Sequence, residues 1–183
     1  TWANCASTGE ICRRLDGPPL ALELAAARTK TLSPARLLEQ LSDRFRVLSS
    51  DLRDIPERQR TIRNTIDWSF RLLEEGEQQL FARLGVFRGG FTLDAAERVC
   101  GFELPINVLD GVTSLQNKSL VRRMDAAAEV PRFDMLETIR EYAEERLTLS
   151  TEQQRVRDMH GVFCAELAEA FRVAHDEGVV DQT

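Results

Sequence analysis

Both lysines of the chain stand directly before hydroxyl residues, Lys30-Thr31 and Lys118-Ser119. A phosphate-cradling loop uses that pairing to hold phosphates and a magnesium ion, but it also needs glycine just before the lysine. Thr29 and Asn117 fill those positions, so the chain has no Walker A motif of its own. The spacings G-x-G-x-x-G, H-E-x-x-H and G-x-S-x-G do not occur either. The two histidines, His160 and His175, lie about four turns apart on one expected helix, too distant to share a metal or a proton. Cys5, Cys12, Cys100 and Cys164 form no C-x-x-C pair and have no histidine at ligand spacing, which argues against a zinc site. Cys5 and Cys12 would be about 10 Å apart along a regular helix, too far for a disulfide. All four read as reduced, mostly buried thiols of a cytoplasmic protein. Asp16, Asp67 and Glu97 are the carboxylates to weigh as general acids or bases. None has a nucleophile in matching position, and they read as capping or solvated groups. The expectation is no catalytic residue, no metal and no enzyme activity in this chain by itself.

The elements that must position these residues follow from composition and punctuation. With 183 residues, 43% hydrophobic and 30% charged, and only 10 Gly and 6 Pro, the chain is long enough and apolar enough to bury a core. Its 24 basic residues against 30 acidic ones give a net charge of −6, with no basic tail for nucleic acid. The richest apolar run, Leu20 to Ala27, is broken by Glu23 and is far short of the roughly 20 residues that span a bilayer. Thr1 to Cys5 has neither a basic start nor an initiator methionine, and the chain reads as a piece of a longer one.

Helices are expected over 2–16, from the prolines of Gly17-Pro18-Pro19 to Arg28, and from an N-cap at Ser33 with Pro34 to about Arg44, its stripe Leu37, Leu38 and Leu41. Ile62, Ile66, Phe70 and Leu73 begin the next helical stretch, with a break near Gly76 and a continuation from Gln78 to Phe87 that Gly89-Gly90 closes. Thr92–Cys100 and Ile106–Gln116 are shorter helices, the second with Ile106, Leu109, Val112 and Leu115 on one face. Around Asp125–Glu129 the period changes to that of a hairpin joining Leu120–Met124 to Val130–Met135, with Pro131 suited to an edge. Helix resumes over Glu137–Leu147, and Ser150-Thr151-Glu152-Gln153 reads as a capping box for a last helix to about Val173. The expected fold is mainly α: a small helical lid subdomain over 1–45, a linker over 46–56, a winged helix over 57–147 and a C-terminal helix over 148–183 that could begin a helical array.

Ile11 to Arg28, with Gly17-Pro18-Pro19-Leu20-Ala21 at its centre, resembles the G-x-P-L-A element of STAND signalling ATPases, a group that includes NB-ARC proteins and large bacterial transcriptional regulators. The likeness continues through Thr65-Ile66-Asp67-Trp68-Ser69-Phe70, Leu80 to Phe91 and Phe133 to Ala143. The resemblance implies a nucleotide-lid and winged-helix segment that controls an ADP/ATP switch, with Gly17 and Pro19 at the nucleotide and Pro19 against the adenine. The ATP or ADP would be shared with a P-loop domain upstream. Helical repeats downstream would be a second intramolecular partner, and the longer protein could form a homo-oligomer. Two departures stand out. Pro18 replaces an aliphatic residue, and Met135-Leu136-Glu137 replaces Met-His-Asp, so Leu136 cannot contact a phosphate and reads as core.

Two other functions compete with the lid. One is a free-standing winged-helix DNA-binding domain. Against it, residues 56–146 carry 13 basic and 16 acidic residues, and the candidate recognition helix Pro105–Lys118 has Lys118 as its one cation against Asp110. No direct DNA contact and no membrane contact are therefore expected. The other is a helical interaction module in which Phe163, Leu167, Ala170 and Phe171 form a stripe on the last helix. Arg122 and Arg123 read as a solvated wing.

Overall fold

The protein is described from a computed structural model, over residues 26–27, 29, 32–37, 57–124 and 130–180. The Gly17-Pro18-Pro19 turn, Asp16, Lys30, Cys5, Cys12 and the 46–56 linker lie outside those residues. Near the start, Ala26 and Ala27 are helical, Thr29 bonds back to the Ala26 carbonyl, and Ser33 caps a helical turn over 34–37 in which Leu37 is fully buried.

Six helices follow in the described residues: α1 (Glu57–Arg71), α2 (Glu75–Leu84), α3 (Leu93–Cys100), α4 (Val108–Asn117), α5 (Glu137–Thr148) and α6 (Gln153–Val180). Three short strands are interleaved, β1 (Phe91–Thr92), β2 (Arg122–Arg123) and β3 (Arg132–Asp134). They form an antiparallel sheet in the order β1-β3-β2, with Phe91 opposite Phe133 and Arg122 opposite Asp134. Helix, strand, helix, helix, hairpin from α2 to β3 is the winged-helix order, and the fold is mainly helical as the sequence implies.

Local chemistry sets the boundaries. The Thr92 hydroxyl accepts from the Ala95 amide at 3.2 Å and starts α3, while Asn107 Oδ1 accepts from Leu109 at 2.8 Å and starts α4. Gly89 and Gly90, at φ 87° and 88°, turn the chain from α2 into β1. A Cβ on Gly90 would sit 2.6 Å from the Phe133 carbonyl oxygen, so glycine here also lets β3 approach. Leu80, Phe81, Leu84, Val99, Leu115, Leu120 and Ile139 form the centre of the core, and Val156 of α6 closes it.

Several expectations need correction. The break falls at Leu72–Glu74, and Gly76 lies inside α2, buried because a Cβ there would meet Ile106 at 2.7 Å. Leu109 is 50% exposed; α4 starts at Val108 and turns Val108, Gly111, Val112 and Leu115 inward instead. Phe91–Thr92 is a strand, too short for periodicity to show. Ser150 does not form the expected box: its hydroxyl donates to the Leu147 carbonyl and accepts from Glu152 N, while Gln153 reaches Thr148. The last helix continues to Val180 rather than ending near Val173.

Candidate functional site

The surface with most to offer a ligand is α4 with the hairpin that follows it. Asn107 fixes the start of α4, so its inward stripe packs on the core and Leu109, Asp110, Thr113, Gln116 and Asn117 face outward. Within that outward edge the Thr113 hydroxyl donates to the Leu109 carbonyl at 2.7 Å. Lys118 does not join the edge. Its Nζ donates to both oxygens of Glu77, at 2.5 and 2.6 Å, and the Ser114 hydroxyl donates to the same carboxylate. Burial pushes the Glu77 carboxyl up, but the bonds from Lys118, Ser114 and the Glu74 amide outweigh it and hold the group below the ordinary carboxylate range.

The wing carries the exposed cations. Arg122 and Arg123 are exposed on β2, and Arg122 Nη2 reaches Asp134 at 3.0 Å. Arg132 donates to the Gly89 and Gly90 carbonyls at 3.4 Å. Met124 and Val130, on either side of the hairpin turn, are 51% and 59% exposed.

Elsewhere two charged clusters are consumed internally. Asp67 is buried, not solvated as expected. It accepts from the Tyr142 hydroxyl at 2.7 Å and pairs with Arg71 at 2.8 Å and Arg146 at 3.3 Å, tying α1 to α5. Burial, reinforced by the bond to Asp67, pushes the Tyr142 hydroxyl up. Arg83, 1% exposed, donates to both oxygens of Glu152 and to the carbonyls of Cys100 and Phe102, with its guanidinium 4.0 Å from the Phe102 ring centroid. Neither hub leaves a group able to move a proton onto a ligand. Sequence reasoning missed both, although Arg83 shares the helical face of Leu80, Leu84 and Phe87, a signal that it must enter the core with partners.

The remaining candidates are scattered. Glu97 is exposed, in keeping with a solvated carboxylate, and Leu136 packs partly buried against the core next to buried Met135. Cys100 is buried, and burial pushes its thiol up. Cys164, on α6, is exposed rather than buried. His160 meets Phe87 edge-on with centroids 5.1 Å apart, its Nε2 lies 3.6 Å from Cys164 Sγ, and burial lowers its pKa. His175 is exposed. Gly17 and Pro19, the residues assigned to a nucleotide, lie outside the described residues. Among the described residues no three His, Cys, Asp or Glu are placed to hold a metal, and no helix is long and apolar enough to cross a membrane.

Comparison with known proteins fits this geometry. Residues 73–148 match the family described as winged helix-turn-helix domain. Over 169 residues the chain is 47% identical to a protein of Mycobacterium tuberculosis (strain ATCC 25618 / H37Rv) provisionally named an HTH-type transcriptional regulator, covering 90% of this chain and 19% of that protein. A protein of Mycobacterium bovis with the same provisional name matches to the same extent. An uncharacterized protein of the same M. tuberculosis strain is 41% identical over 158 residues, 84% of this chain and 39% of its own length. The chain thus spans about a fifth of the length of the first relatives, and their name belongs to the whole proteins. Those names speak to transcriptional regulation and not to nucleotide hydrolysis. The fold of residues 73–148, α2 through α5, is that of a winged helix.

Proposed function

We propose that this segment is a regulatory winged-helix module of a bacterial transcriptional regulator, and that it contacts duplex DNA through the outward edge of α4 and the wing. The observation that carries the reading is the α2-β1-α3-α4-β2-β3 order, which leaves Thr113, Gln116 and Asn117 exposed on α4 and Arg122 and Arg123 exposed on the hairpin that follows. Uncharged amide side chains suit base edges in the major groove, and wing arginines suit phosphates. The relatives' provisional names support the regulatory part. The expectation of no direct DNA contact gives way here to the rival function. The test is selection of bound sequences from a randomised duplex library at physiological salt. Enrichment of a defined site that Gln116→Ala respecifies supports the reading; no enrichment overturns it.

Three charge observations weigh against a duplex partner, and the Gly17-Pro18-Pro19 resemblance then supports a second reading, the lid of a STAND ATPase. Lys118, the one cation of the α4 segment, is spent on Glu77, Asp110 faces outward, and residues 56–146 carry a net charge of −3, all unfavourable to phosphate neutralisation. In that reading Gly17 and Pro19 close on an ATP or ADP whose phosphates an upstream P-loop domain holds. It predicts that Pro19→Ala in the longer protein weakens ADP binding several-fold by calorimetry, from an apolar contact worth on the order of 1 kcal/mol. Unchanged ADP affinity would remove it.

A further inference from the structure

α6 and the corner between α2 and α3 border an open groove of about 520 Å³ that takes Arg132 from the hairpin but neither α4 nor Arg122 and Arg123. Its open apolar side is Leu167, Ala170 and Phe171 of α6, its floor is the buried Phe87 and Phe91 with part-buried Phe163, and His160, Thr92 and charged side chains complete the lining. Val156 and Phe163 anchor α6 to the core, but Leu167 is 46% and Phe171 70% exposed, so the helix carries its stripe away from the body with little covering it. Two cations stand at the end nearest the wing. Arg88 is 77% exposed, with its nearest carboxylate, Glu144, at 3.8 Å. Arg132 touches only the Gly89 and Gly90 carbonyls, at 3.4 Å, and has no carboxylate partner among the described residues. Arg98 is neutralised by Glu166, and Asp94 is the other acid on the rim.

We propose that this groove docks an acidic amphipathic helix. The four α6 residues of its wall span about 12 Å at helical rise, the length over which a second helix can lay two turns of apolar side chains alongside. The unspent guanidinium capacity of Arg88 and Arg132 selects carboxylates at the wing end. A duplex backbone is a poor fit, because a phosphate laid over Leu167 and Phe171 would lose water and gain no partner there.

The test uses the 183-residue chain and two labelled synthetic helical peptides with Leu and Phe at i, i+4 and i+7, one flanked by Glu and the other by Lys. Fluorescence anisotropy should show the Glu peptide binding about tenfold or more tightly than the Lys peptide. Arg88→Glu alone should weaken the Glu peptide several-fold, Arg88→Glu with Arg132→Glu about tenfold, and Phe171→Asp should abolish binding, while Arg122→Glu on the wing changes nothing. Circular dichroism of each variant confirms the fold. Equal binding of both peptides, or Glu-peptide binding that survives Phe171→Asp, overturns the proposal. So does self-association lost in Phe171→Asp, seen by sedimentation, since the groove would then belong to a second copy.

Discussion

The winged-helix body and the outer half of α6 use the same residue types in opposite ways. In the body even arginine is interior: Arg83 is 1% exposed and finds Glu152, two carbonyls and an aromatic face. On α6 even phenylalanine is exterior, with Phe171 at 70%. Glycines divide likewise. A Cβ on Gly85, at the end of α2, would lie 2.7 Å from the Glu144 amide nitrogen on α5, whereas one on Gly161 would meet nothing within 4 Å. The contrast teaches that residue type alone does not assign a role here. What decides is whether the helix has a neighbour on each side, and among the described residues the outer part of α6 runs past its neighbours.

Breaking the body should cost most at Arg83. Arg83→Met strands the Glu152 carboxylate and two carbonyls, and urea denaturation should show a loss of about 3 kcal/mol or more. A loss below about 1 kcal/mol would mean the cluster is not a keystone. Next comes Gly85→Ala, where backbone atoms of α5 cannot swing aside as a side chain would. It should cost about 1–3 kcal/mol in the same assay.

A smaller effect should appear in pH dependence. Glu77 binds its proton less tightly when folded than its ordinary value of 4.5, so its ion pair stabilises the fold above that pH and is lost as pH falls through the lower folded value. Thermal melts at pH 6 and pH 3 should show a larger drop in Tm for the wild type than for Glu77→Gln. An equal drop would mean that the Glu77–Lys118 pair carries none of the acid sensitivity. Smallest and of opposite sign, Gly161→Ala should stabilise α6 by up to about 1 kcal/mol, because open space leaves only helix propensity to act.

Much of the body was legible in the sequence because its signals are redundant. Ile62 and Ile66 in α1 and Leu80 and Leu84 in α2 keep a helical period and pack in the core, and Gly89-Gly90 marks the turn. The hairpin was legible from the change of period after Leu120, but its third strand, β1, is two residues long and exists only by pairing with β3. Leu109 shows the limit of periodicity: Val108 and Leu109 are adjacent and apolar, and the Asn107 cap, rather than hydrophobicity, decides which of them faces in. Of the candidate interface, Arg122 and Arg123 were legible as a wing. The withdrawal of Lys118 into a pair with Glu77, 41 residues away, was not, since no local pattern joins them.

The central claim is that the wing and the outward edge of α4 form a duplex-binding surface. Its most direct measurement is the affinity of the wild type and of Arg122→Glu with Arg123→Glu for a library-selected duplex, by anisotropy across a range of salt concentrations. Each phosphate contact adds about 0.9 to the slope of log affinity against log salt, so losing two should lower the slope by about 2 and weaken binding tenfold or more at physiological salt. Identical slopes and affinities for the two proteins would contradict the assignment of the wing to DNA.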